Sequence, residues 1–269
     1  MKQDEIKVSV LIPTYNRLNA LIATLTSLIA QTFKDFEVVV SDQSDLFAGE
    51  DQTIQTIKRI LKLHKHPVRI LSNRPKKGIA HQRQFLLNQA NGYYSLFIDD
   101  DVILEPDVIK RMVKAMEEEE AGFCGMALIG LSYLQDVRPH QQAIEFWKHD
   151  VQPEVIRPRA QEWQRYQLHN AANILHAGQK LNLTPAQQKK YKIAWVGGCV
   201  LYDTLKLQET GGFNFWEQLP EEHCGEDVFA QLRLMEKYGG FGLIPSGAYH
   251  LELPTTINNR NINIPDYLL

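Results

Sequence analysis

VSVLIPTYNR, residues 8–17, begins as a short apolar run and becomes polar at its end. Continuous aliphatic and β-branched runs of this length are typical of strands that are covered on both faces. We expect a buried strand over 8–12 that Pro13 ends, because proline cannot donate to a sheet ladder. Three more such runs follow, each with polar residues after it: FEVVV at 36–40, VRIL at 68–71 and YYSLFI at 93–98.

The connections between these runs have helical patterns. Apolar residues recur at helical spacing after Leu18, and further helices are predicted around 51–63 and within 78–90. Alternating strands and helices predict an α/β fold with a mostly parallel central sheet. The second half is less regular, with predicted strands at 124–134, 195–202 and 241–245, a helix at 226–239, an irregular tail, and an insertion of loops and helices at 135–192.

The composition is that of a soluble globular chain. Of its 269 residues 44% are hydrophobic and 23% are charged, and the net charge of −3 argues against a nucleic-acid partner. The three cysteines are far apart, which fits a reducing compartment better than a disulfide framework or a zinc site. The polar N-terminus and the absence of a long apolar run predict a cytoplasmic protein without a membrane span, a pattern compatible with peripheral membrane attachment.

Polar segments follow all four of the first strands, at the sheet edge where α/β proteins bind ligands. The most acidic of them is Asp99–Asp100–Asp101. Three adjacent carboxylates repel one another, so the cluster is either a solvated turn or a site for a cation, and carboxylate oxygens suit Mg²⁺ or Mn²⁺. In an extended segment Asp99 and Asp101 would face one pocket, one towards a nucleotide sugar and the other towards the metal, while Asp100 would face away.

Other nucleotide-site and hydrolase motifs are missing from the sequence. No G-x-G-x-x-G follows the first strand, and there is neither a P-loop nor a G-x-S-x-G elbow. A dinucleotide-binding unit, a P-loop enzyme and an α/β-hydrolase are therefore disfavoured.

A set of segments in order resembles glycosyltransferase family 2, which has the GT-A fold. They are VSVLIPTYNR, QTFKDFEVVVSDQSD, GIAHQRQ, FIDDDV, GGCVLYDTLKLQETGGFNF and GEDV, and they run from about residue 7 to 250 with 135–192 unmatched. The resemblance implies a Rossmann-like, mostly parallel sheet flanked by helices, with a smaller mixed C-terminal region on the acceptor side. It divides the chain into a nucleotide-sugar-binding half, 1–134, and an acceptor-binding half with the catalytic base, 135–269.

The resemblance also implies roles for individual residues. The nucleotide-sugar site would comprise Pro13, Thr14, Tyr15, Arg17, Asp42, Arg83, Asp99, Asp100, Gly197 and Gly198; the metal ligands would be Asp99, Asp101 and His250; and the catalytic residues would be Asp227 and the adjacent Glu226. Asp42 would read the uracil ring, although SDQSD stands where the family usually has D-D-G-S. Arg83 matches the arginine of the family's A-R-N motif, but Gln84 replaces the asparagine.

The implied activity is metal-dependent transfer of a sugar from a UDP-sugar to a hydroxyl acceptor, with inversion, in polysaccharide or glycoconjugate synthesis. The metal is Mn²⁺ or Mg²⁺, and the acceptor is a glycan, a lipid-linked glycan or another hydroxyl compound. Alternatives are a retaining enzyme, a GDP-sugar donor, and a catalytically silent sugar-nucleotide-binding module.

Three residues have structural alternatives to a functional role: Asp227, His250 and Trp195. We expect the helix dipole to keep Asp227 ionised, and its alternative role is an N-terminal cap. The alternative for His250 is a hydrogen bond to a loop carbonyl. Trp195 is expected to pack in the core or stack on a sugar, while Trp163 belongs to the insertion that we expect to contact the acceptor.

Overall fold

The computed structural model describes residues 6–256 and 261–268. Its strands are β1 Val8–Thr14, β2 Phe36–Asp42, β3 Val68–Ser72, β4 Tyr94–Ile98, β5 Val102–Leu104, β6 Phe123–Gly125, β7 Lys189–Tyr191, β8 Cys199–Asp203, β9 Gly240–Ile244 and β10 Ala248–His250. Its α-helices are α1 Leu18–Ile29, α2 Gln52–Leu63, α3 Ile79–Gln89, α4 Val108–Glu117, α5 Asn173–Lys180, α6 Thr204–Glu209, α7 Glu226–Tyr238 and α8 Ile264–Leu268.

Eight of the strands form one central sheet in the order β3-β2-β1-β4-β8-β6-β9-β7. The first four are parallel, β6 and β9 run in the same direction as them, and β8 and β7 are antiparallel to their neighbours. The two remaining strands, β5 and β10, form a separate antiparallel pair. This mixed α/β architecture with a mostly parallel sheet confirms the predicted fold class.

Helices cover both faces of the sheet. Every residue of β1, β2 and β4 is buried, which explains why these strands read as continuous apolar runs. In the register of the sheet, Val10 lies between Val38 and Leu96. The helices α1, α2 and α4 pack on the face that carries Val10, and α3 and α7 pack on the opposite face.

Three local predictions were wrong. The first strand continues through Pro13 to Thr14, since β4 pairs with β1 only as far as Leu11 and the missing proline N–H breaks no ladder bond on that side. The strand expected at 124–134 is limited to β6, after which the chain leaves the sheet. Within the part of the tail that the structure describes, residues expected to be irregular form α8.

The insertion at 135–192 is anchored to the main sheet. It contains short 3₁₀ turns and α5, and it ends in β7, which pairs with β9 at the sheet edge. The partly buried Trp147 and Trp163 both pack against the hydrophobic core. Within 6–256 and 261–268, the helices are all too short or too polar to cross a membrane.

Candidate active site

A cavity of about 350 Å³ opens at the carboxyl ends of β1 and β4, a volume within the range of small-ligand sites. The acidic turn after β4 forms part of its wall, and the N-terminus of α7 and the end of β10 form other parts. All the predicted site residues line it except Asp42, Gly197 and Gly198. The lining residues are Pro13, Thr14, Tyr15, Arg17, Ile79, Gln82, Arg83, Asp99, Asp100, Asp101, Cys224, Gly225, Glu226, Asp227, His250, Leu253, Thr255 and Thr256.

The prediction that Asp100 faces away from the pocket was wrong. Residues 99–101 lie between β4 and β5 in a turn, so the alternation of an extended segment does not apply. Asp100 is buried, accepts a 2.7 Å hydrogen bond from the hydroxyl of Thr14 and lies 3.0 Å from Nη1 of Arg17. Burial raises the pKa of Asp100 to about 6, against the opposing effects of Thr14 and Arg17.

Asp101 is buried beside the same guanidinium group. Its Oδ2 atom is 2.8 Å from Nη1 of Arg17 and 3.3 Å from Nε2 of His250. Burial opposes ionisation, but hydrogen bonds and charge from His250 and Arg17 together hold the pKa of Asp101 below its ordinary value. Asp101 is therefore a carboxylate at neutral pH, as a metal ligand must be.

Arg83 joins the acidic turn to α7. Its Nη2 atom donates to Oδ1 of Asp99 at 3.1 Å, and its Nε atom donates to Oε1 of Glu226 at 2.9 Å. The attraction of these carboxylates outweighs burial and raises the pKa of Arg83, so its charge is permanent. Burial raises the pKa of Asp99, and Arg83 opposes that shift.

Asp227 lies in the first turn of α7, directly after Glu226. Burial and the neighbouring Glu226 carboxylate raise the pKa of Asp227 to about 7, while the charge of Arg83 lowers it. Burial and the Glu226 charge thus oppose the helix dipole, which we expect to favour the ionised form of this carboxyl. Asp227 does accept a 2.8 Å hydrogen bond from the backbone N–H of Val228, within the first turn.

His250 bonds to a carboxylate, so the alternative of a bond to a loop carbonyl was wrong. Its Nδ1 accepts a hydrogen bond from the backbone N–H of Glu252 at 3.2 Å, so the ring proton is on Nε2, towards Asp101. The hydrogen bond to Asp101 raises the pKa of His250. Its role as a metal ligand stays a prediction.

The donor set fits a divalent cation bound together with a substrate phosphate. Residues 6–256 and 261–268 contain no cluster of three His, Cys, Asp or Glu side chains arranged to hold a metal. Mg²⁺ and related ions commonly take only one or two protein carboxylates, and the substrate phosphates and water complete their coordination. Asp101 and His250, whose side chains lie 3.3 Å apart, would supply an oxygen and the nitrogen that suits Mn²⁺, and the 37% exposed Asp99, now bonded to Arg83, would have to join them on binding.

Three predicted residues lie behind the cavity wall. Asp42 is 1% exposed, and its two oxygens accept hydrogen bonds from the backbone N–H groups of Ser44 and Ala48 at 2.7 and 2.6 Å. It therefore organises its own loop, and the structure does not bring it to the cavity to contact a uracil ring. Gly198 has a φ of +76° and its carbonyl accepts from the N–H of Asp99, while Gly197 adjoins Asp227.

Sequence reasoning missed several lining residues: Ile79, Gln82, Cys224, Gly225, Leu253, Thr255 and Thr256. Gln82 precedes Arg83 and donates a 3.0 Å hydrogen bond to the carbonyl of Thr14, so its place in the GIAHQRQ segment was an available signal. The residues from 253 to 256 belong to a segment with no periodicity and no motif. A side recess of about 80 Å³ shares Tyr15 and Gln82 with the cavity, and Gln43 forms another part of its wall.

Comparisons with known proteins identify the family of this chain. The model of the family described as glycosyl transferase family 2 matches residues 9–179. The GalNAc(5)-diNAcBac-PP-undecaprenol beta-1,3-glucosyltransferase of Campylobacter jejuni is 30% identical over 123 residues, which are 46% of this chain and 38% of that protein. The matches to curated relatives span 15 to 47% of the relatives' own lengths.

Solved structures share the fold. The structure of Staphylococcus aureus TarS 1–349 in complex with UDP-GlcNAc has a TM-score of 0.58 and 19% identity, covering 93% of this chain and 60% of that one. The mannosyltransferase PcManGT of Pyrobaculum calidifontis, in complex with GDP-Man and Mn²⁺, has a TM-score of 0.57 and 17% identity, covering 93% and 58%. These likenesses confirm the GT-A type of the fold.

Proposed function

The chain belongs to glycosyl transferase family 2, and we propose that it transfers a sugar from a UDP-sugar to a hydroxyl acceptor with inversion. The observation that carries this proposal is the placement of two acidic sites around one cavity. The Asp99–Asp101 turn and the Glu226–Asp227 pair both line it, and Arg83 links them through hydrogen bonds of 3.1 and 2.9 Å.

Asp227 is the best candidate for the general base. An acceptor hydroxyl must lose its proton to a group within hydrogen-bond reach, and such a base is most effective when its pKa is near the working pH. The pKa of about 7 gives Asp227 that property. Glu226 accepts the charged hydrogen bond of Arg83, so we assign it to positioning that arginine beside Asp99.

The opposite wall of the cavity suits the departing nucleoside diphosphate. A divalent metal, Mn²⁺ or Mg²⁺, held there by Asp99, Asp101 and His250 would neutralise negative charge on the leaving group. Arg17 and Arg83 add permanent positive charge to the same cavity. The Mn²⁺ complex of the Pyrobaculum mannosyltransferase supports the use of a divalent metal.

Support for the substrates comes from the relatives and the side recess. TarS is bound to UDP-GlcNAc, and the Campylobacter relative is named for a lipid-diphosphate-linked acceptor. We assign the recess, which Tyr15 and Gln43 help to line, to the base of the nucleotide. We assign donor binding to residues 1–134 and acceptor binding, with the catalytic base, to residues 135–269, within a pathway that makes a polysaccharide or glycoconjugate.

The test is release of UDP from a panel of UDP-sugars in the presence of Mn²⁺, with GDP-mannose included as a competing donor. Slow release without acceptor that Asp227→Asn abolishes would support the proposal. Tight donor binding without any release, with or without glycan and lipid-linked acceptors, would instead indicate a silent binding module. The anomeric configuration of the product, measured by NMR, distinguishes inversion from retention.

A further inference from the structure

The side chain of Arg17 lies at the most acidic part of the cavity. Its Nη1 atom is 3.0 Å from Oδ1 of Asp100 and 2.8 Å from Oδ2 of Asp101. Its Nη2 atom donates a 2.7 Å hydrogen bond to the carbonyl oxygen of Pro254. One guanidinium group thus joins the acidic turn to residues 251–256, which we call the strap and which contribute three residues to the cavity wall.

These contacts occupy the oxygen that a metal would need. Oδ2 of Asp101 faces both the guanidinium of Arg17 and, at 3.3 Å, the imidazole of His250. An arginine remains protonated throughout the usable pH range, and its fork of N–H donors matches carboxylate oxygens well. A divalent cation that binds Oδ2 requires lone pairs that Arg17 and His250 now share, so Arg17 in this position competes with a metal for Asp101.

We propose that Arg17 is an internal counter-cation, which competes with the divalent metal for Asp101 and releases the strap when the metal displaces it. Once displaced, the guanidinium is free to pair with the donor diphosphate, so its charge stays in the cavity. This inference rests on the proposed function for the identity of the incoming ligand. It predicts that the apparent metal affinity is reduced by the fraction of molecules in which Arg17 covers Asp101.

The test measures binding of Mn²⁺ alone, without nucleotide, to Arg17→Gln by electron paramagnetic resonance titration. We expect about tenfold tighter binding than in the unaltered protein, since hydrogen bonds to charged groups contribute enough to shift a competing equilibrium by that factor. Arg165→Gln is the matched control. The side chain of Arg165 is also 17% exposed and also bridges two carboxylates, Glu145 and Glu154, and the loss of this bridge should leave Mn²⁺ affinity unchanged.

Unchanged or weaker Mn²⁺ binding in Arg17→Gln would overturn the proposal, because a residue that only binds diphosphate or only supports the fold does not compete with free metal. If Arg17→Gln does not fold, Arg17→Lys decides by the same criterion, since a single ammonium cannot reproduce the fork between both carboxylates and the strap.

A second measurement follows the strap itself. Amide hydrogen exchange in 251–256 should rise when Mn²⁺ is added to the unaltered protein, and should be high already in Arg17→Gln. Exchange in the strap that changes neither with Mn²⁺ nor with the substitution would contradict the proposal that Arg17 holds the strap. Neither readout uses a sugar donor, so these results stand or fall separately from the transferase activity.

Discussion

Asp227→Asn tests the catalytic base through the pH dependence of turnover. The ordinary pKa of an aspartate is 3.8, and in this cavity the pKa of Asp227 is raised to about 7. A base must be deprotonated to act, so turnover should rise with pH and level off above about pH 8. At pH 5 only about 1% of a group with this pKa is ionised, so turnover there should be about a hundredfold below the plateau.

The assay is initial-rate UDP release from saturating donor and acceptor with saturating Mn²⁺, from pH 5 to 8.5. Asp227→Asn should lower the plateau by about 10²–10⁴-fold, the usual contribution of a positioned base, and should flatten the profile while UDP affinity changes little. Near-normal transfer in Asp227→Asn, or a profile in the unaltered enzyme that is flat down to pH 5, would refute the assignment.

Glu226→Gln provides an internal check on the cause of the raised pKa. The substitution removes the carboxylate charge that, after burial, contributes most to raising the pKa of Asp227. The amide oxygen can still accept from Arg83. The midpoint of the pH profile should therefore move to lower pH in Glu226→Gln, and a midpoint that stays in place or rises would show that Glu226 does not set this pKa.

Four further predictions concern the metal and the glycines. Asp101→Ala should abolish Mn²⁺-dependent donor binding, and Asp100→Ala should also impair it, because both belong to one turn; normal calorimetric titrations of donor into Asp100→Ala would contradict this. Metal affinity should fall as pH drops. The midpoint of this fall should lie above pH 6.5, the ordinary pKa of histidine, because Asp101 raises the pKa of His250. His250→Ala should narrow the difference between the activities with Mn²⁺ and with Mg²⁺. An unchanged ratio of the two activities would show that His250 is not a metal ligand. Gly198→Ala should lower the free energy of unfolding in urea by about 1–3 kcal/mol, because its φ is +76° and a Cβ would lie 2.3 Å from a neighbouring side chain. In Gly197→Ala the added Cβ meets ordinary contacts of 3.5 and 3.6 Å, so a loss as large as that of Gly198→Ala would show that space and φ are not the cause.

The pattern of the sequence determined the fold class, and the family resemblance identified most of the residues that line the cavity. Buried strands and the helices between them leave local signals, because burial on both faces selects continuous apolar runs and helices repeat their apolar positions. The parallel strands then bring their carboxyl ends to one edge, which is why PTYNR and DDDV meet at one cavity. The catalytic role predicted for the G-E-D segment depended on the family resemblance, because the short motif alone is equally typical of a helix cap.

Only the tertiary structure decided how the charged groups pair. Arg83 meets Glu226 across 143 positions of sequence, and Arg17 meets Pro254 across 237, so no local pattern contains either contact. The same holds for burial, which raises the pKa of Asp227 against the helix dipole. Asp42 matches a binding motif in sequence, but in the folded chain both of its carboxylate oxygens accept hydrogen bonds from its own loop. Side-chain partners and desolvation depend on what the rest of the chain packs around a residue, and that is a property of the folded molecule.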